Sequence, residues 1–88
     1  MNSVTPQTPQ WLMSSFDFFV ENYRGDSREL IYRSCQELLY LVGKYGLTDN
    51  SNQVYNFLYE QCRYLRENPY NEPKLKDFRD DLTKILGI

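Results

Sequence analysis

Apolar side chains recur every three or four residues through most of the chain, and the gaps between the runs divide it into four helical segments. In the first segment Leu12, Phe16, Phe19, Val20 and Tyr23 share one face. Thr8 followed by Pro9 predicts its start, because a threonine hydroxyl caps free N–H groups and proline at the first position gives up an N–H that has no partner anyway. Gly25 is expected to close it as a left-handed C-cap. The second segment carries Ile31, Cys35, Leu38, Val42 and Tyr45, opens on Asp26 with Glu29 as a capping-box-like pair, and ends at Gly46. The third carries Val54, Phe57, Leu58, Gln61, Cys62 and Leu65, and Asn68 before Pro69 stops it. The fourth carries Leu75, Phe78, Leu82, Ile85 and Leu86 before Gly87, with Asn71 as its expected cap and Pro73 in the tolerated first turn.

The predicted helices span 9–24, 27–45, 50–67 and 72–86 of one domain, 9–88. A flexible N-terminal tail, 1–8, is expected from its Pro, Ser, Thr, Asn and Gln content. Nothing alternates with the period of a strand. Connections of a few residues make consecutive helices antiparallel neighbours, so the predicted fold is all-α, a small antiparallel four-helix bundle.

Some helix faces hold more apolar surface than one core seam needs. At 100° per residue the second helix spreads its apolar side chains over about 200°, from Leu30 and Leu41 on one side to Tyr32 and Leu39 on the other. Either this helix is central and touched from both sides, or a second protein covers one flank. On the third helix Tyr55, Tyr59 and Arg66 fall beside the core stripe, and on the first Trp11 and Phe18 lie seven residues apart, off the stripe. Tyr, Trp and Arg are the types enriched at the energetic centres of interfaces, so these five are the candidate protein-binding residues; the other reading is that the Tyr rings only roof the edge of a small core with their hydroxyls in water.

Composition narrows the reading. The chain has 88 residues, enough for one domain, and its eight Tyr and five Phe supply a core. Ten Lys and Arg stand against twelve Asp and Glu without a basic run, so nucleic acid is not an expected partner. No apolar run approaches the roughly 20 residues needed to span a bilayer, and Met1 to Gln10 have neither a charged nor an apolar leader region, so a cytoplasmic protein is expected. Cys35 and Cys62 read as buried free thiols, a disulfide between the two central helices being the alternative in an exported chain. With no histidine, no glycine-rich phosphate loop and no zinc spacing, neither catalytic residues nor a metal nor a cofactor is expected. Asp77 and Asp81 share a face with Lys74 and Lys84 that reads as a solvated ion-pair surface.

Gly25-Asp26-Ser27 at a helix start resembles the attachment motif of acyl carrier proteins, in which the serine carries phosphopantetheine. The resemblance implies a modified Ser27, although Arg28 stands where that family has a hydrophobic residue and the following segment is longer and richer in Tyr. Size and expected architecture also resemble bacteriocin immunity proteins, helical bundles that act by binding. The leading expectation is a non-catalytic interaction module, a regulator, adaptor or inhibitor whose partner is another protein or a second copy of itself. The alternatives are a homodimeric assembly component and an acyl-carrier-like protein modified at Ser27.

Overall fold

The computed structural model describes residues 7–88. They form α1 (Pro9–Asn22), α2 (Ser27–Tyr45), α3 (Ser51–Glu67) and α4 (Leu75–Leu86), with no strand among the described residues, so the fold is all-α with four helices. Residues 1–6 of the expected tail lie outside the described residues. The other two lie against the rest of the chain. The Thr48 N–H donates to the Gln7 carbonyl at 2.8 Å, the Gln7 side-chain amide donates to the Tyr45 carbonyl, and the Thr8 hydroxyl caps α1 by accepting from the Trp11 N–H.

α2 packs against all three other helices. Its Ile31, Cys35, Leu38 and Val42 are buried with Leu12, Met13 and Phe16 of α1, with Val54, Leu58, Cys62 and Leu65 of α3, and with Phe78, Leu82 and Leu86 of α4. Its wide apolar arc is therefore satisfied from more than one side, as a central helix requires. No Cα of α1 comes within 8 Å of a Cα of α3. α4 closes that gap with one ring, since Phe78 packs on Phe16 of α1 at 5.4 Å and stacks on Phe57 of α3 at 5.7 Å. Arg79 adds a bidentate pair to Asp17 of α1, at 3.0 and 3.1 Å, half exposed to water.

Two helix ends depart from the sequence expectation. α1 ends at Asn22 with Tyr23 as its extended C-cap, so Gly25 is not the cap but a turn residue at φ 138°. α4 starts at Leu75 with Lys74 at the N-cap, three residues later than expected, and neither Asn71 nor Pro73 belongs to it. The pre-proline position Glu72 resists helical backbone, and Asn71 uses its N–H and carbonyl in the turn instead, bonding Asn68 and Arg28. At α2 the Asp26 carboxylate accepts from the Glu29 N–H at 2.9 Å as expected, but the Glu29 carboxylate turns to Arg33 rather than back to the cap.

The carbonyls at the end of α3 have no partner within their own helix. Arg28, from the first turn of α2, meets them. Its guanidinium donates to the carbonyls of Leu65, Asn68 at 3.0 Å and Asn71 at 3.2 Å, which ties the start of α2 to the end of α3 and the turn beyond. Replacing Arg28 by Met should therefore lower stability by about 1.5–3 kcal/mol, the cost of charge-assisted bonds lost from partly buried acceptors. Urea denaturation checks this, and an unchanged midpoint would contradict it. Ser34 lies fully buried in α2 with its hydroxyl unpartnered. Ser34→Ala should be neutral or stabilising by up to about 1 kcal/mol, and a clear destabilisation in the same assay would mean that the hydroxyl has a partner.

Candidate functional site

The α2–α3 seam brings flanking residues of two helices together. On α3, Tyr55 and Tyr59 are four residues apart and Arg66 follows seven later, which keeps all three on one flank. On α2, Gly43, Leu39 and Tyr32 descend by four and seven in the opposite numerical sense. Contacts at both ends fix how these rows face each other. A Cβ added to Gly43 would lie 3.6 Å from the Tyr55 ring, so that ring rests over the glycine. At the other end the Arg66 guanidinium meets the Tyr32 hydroxyl, which raises its pKa further above its ordinary range. Leu39 and Tyr59 hold the intermediate positions of the same register.

The resulting strip is part apolar, part hydrogen-bonding. Tyr32 and Leu39 are half-buried against the core, while Tyr55 and Tyr59 remain 40% and 45% exposed. Such rings offer a rigid apolar body and a hydroxyl that can donate or accept. Beside Arg66 the surface dips into a groove of about 240 Å³ lined by Arg28, Glu29, Tyr32 and Arg66. Across Tyr32 runs a second groove, about 390 Å³, towards Tyr23, Arg33 and Glu37. There the Tyr23 hydroxyl donates to the Glu37 carboxylate at 3.0 Å with Arg33 over its ring, and burial followed by that hydrogen bond raises the Tyr23 pKa.

Of the five sequence candidates, Tyr55, Tyr59 and Arg66 come together on this strip. Trp11 and Phe18 do not join it. Trp11 is half-buried and meets the ring of Tyr45 edge-on at 5.9 Å, and Tyr45 projects from α2 about 200° away from Gly43. Phe18 is 60% exposed on α1, edge-on to its neighbour Phe19. Tyr32 and Leu39 are the strip residues missing from the sequence candidates. Their signal was the wide apolar arc of the second helix, which names Tyr32 and Leu39 as one flank without saying what faces them.

Other exposed features are separate. Lys44 lies over the Tyr45 ring and donates to the Tyr40 hydroxyl at the far end of α2. Tyr70 is 93% exposed in the α3–α4 turn. Ser27 is half-buried as the first residue of α2, in a depression shared with Asp26, Arg28, Glu72, Pro73 and Lys74. Among the described residues no group of three or more His, Cys, Asp or Glu side chains gathers where a metal could be held, and no helix is long and apolar enough to cross a membrane. Comparison with known proteins returns no matching family, no matching curated protein and no matching solved structure.

The 3.6 Å approach at Gly43 is ordinary van der Waals contact, so alanine fits there without moving the Tyr55 ring. Gly43→Ala should raise stability by up to about 1 kcal/mol through helix propensity alone. Thermal unfolding followed by circular dichroism checks it, and a lower midpoint would mean that the ring and the helix backbone sit closer than described.

Proposed function

We propose that this chain is a non-catalytic protein-binding module whose contact surface is the α2–α3 strip of Tyr32, Leu39, Tyr55, Tyr59 and Arg66. The observation that carries the reading is the convergence of two half-exposed tyrosines and an arginine from α3 with a tyrosine and a leucine from α2, in one continuous row. A rigid aromatic row beside a held cation supplies contact area at low entropic cost and a directional anchor, the combination that interface hot spots use. The helices beneath are fixed by the core and by Arg28, so a partner meets a preformed surface.

The charge distribution favours a protein over a phosphate backbone. Arg33, Arg63, Lys76 and Arg79 are each paired with carboxylates of the same chain, and Arg28 is committed to carbonyls. The other five, Arg24, Lys44, Arg66, Lys74 and Lys84, form no basic run along the chain, and the net charge is −2. The partner in this reading is a cytoplasmic protein that presents an apolar patch with an acidic or carbonyl group opposite Arg66.

Native mass spectrometry of the chain isolated gently from its own cells tests the proposal. A stoichiometric second polypeptide is expected, bound at least about tenfold more weakly by the Tyr55→Ala, Tyr59→Ala double variant with unchanged helicity. Complex formation unaffected by the double variant would remove this strip as the contact surface. A homodimer dispersed by the same substitutions would make the second copy the partner, and a mass increment on Ser27 in a lone chain would favour the carrier alternative.

A further inference from the structure

Two contacts on either side of the middle of the α2–α3 seam determine what lies between them. Gly43 faces Tyr55 at one end and Tyr32 faces Arg66 at the other, and stepping inwards along both helices brings Cys35 opposite Cys62. Both side chains belong to the same buried cluster, 0% and 2% exposed, and both are free thiols. They belong to the two helices of this seam, and the neighbouring Cys62 thiol together with burial pushes the Cys35 thiol well above its ordinary value. No other cysteine exists in the chain to compete for either.

We propose that Cys35 and Cys62 are a redox-convertible pair that closes to a disulfide across the α2–α3 seam. The oxidant is a small-molecule disulfide. One cysteine thiolate attacks its sulfur–sulfur bond and expels the first small thiolate, leaving a mixed disulfide on the protein. The second cysteine thiolate then attacks the protein-bound sulfur and expels the other small thiolate. Two electrons pass to the oxidant, the two thiol protons end on the released thiolates, and a covalent bond joins α2 to α3. Burial of both sulfurs makes the first attack depend on local opening of the seam, so closure is slower than at an exposed pair. Once closed, the bond constrains the loop 35–62 in the unfolded chain and locks the two helices that carry the tyrosine strip. This site is independent of whether that strip binds a partner.

The test is incubation of the folded chain with oxidised glutathione, followed by intact mass, peptide mapping and thermal unfolding. The expected product is a monomer lighter by two hydrogens, with one linked peptide pair containing Cys35 and Cys62. Its helicity should be unchanged and its melting midpoint higher by about 10 °C or more until reductant is added. Cys62→Ala should instead stop at a mixed disulfide on Cys35 or stay unmodified. Three results overturn the proposal: stable mixed disulfides or covalent dimers of the natural chain, closure accompanied by loss of helicity, or thiols still free after the same treatment has closed the urea-unfolded chain.

Discussion

A helix of nineteen residues with apolar side chains over about 200° of its circumference cannot be covered by a single neighbour. Burying that arc is the constraint on which this molecule is built. α1 takes one flank of α2 and α3 the other, and α4 is left to seal the opening between them. Phe78 does so by touching Phe16 and Phe57, which belong to helices whose Cα atoms nowhere come within 8 Å of each other. In a chain this short the core has little surplus, and polar tethers such as Arg28 on the α3 carbonyls and Arg79 on Asp17 supplement it at the ends of the helices.

The same constraint generates the surface features. Because α3 lies along one flank of α2, the outermost residues of both flanks stop half-covered at the rim of the seam. Tyr32 packs against the core edge there, and Tyr55 and Tyr59 stand beside it 40% and 45% exposed. The strip is therefore a geometric product of packing a wide apolar arc, and the recognition role proposed for it needs only that the rings stay where packing has put them. Beneath it, the two cysteines lie buried in the core between the same two helices.

Helix identity was legible because the 3.6-residue period is strong and the caps are explicit. Thr8 with Pro9, Asp26, Gly46 and Gly87 stand at the helix termini as their chemistry dictates. The ends that sequence missed lie where two local signals compete. Gly25 is a good terminator, yet the chain already leaves helical geometry at Tyr23, whose ring packs on Phe19 and whose hydroxyl reaches Glu37. Asn71 is a good cap, yet its backbone is engaged by Asn68 and Arg28, and a tertiary bond from residue 28 leaves no trace in the residues around 71. The candidate strip was half legible for a related reason. Flanks can be read from each helix alone, so Tyr55, Tyr59 and Arg66 emerged together, whereas the pairing of Tyr32 with Arg66 depends on the register between helices. The same blindness grouped Trp11 with the exposed aromatics, although Tyr45 of another helix meets one edge of its ring.

The central claim is that the rim tyrosines of the α2–α3 seam are covered when the protein works. Tyrosine footprinting with a small nitrating reagent, in cells and on the isolated chain, addresses this directly, because Tyr64 and Tyr70 on the same molecule serve as exposed references. The account predicts that Tyr55 and Tyr59 are protected in cells relative to the isolated chain, while Tyr64 and Tyr70 react equally in both. Equal modification of Tyr55 and Tyr59 in the two settings would contradict it and leave the strip as no more than the edge of a small core.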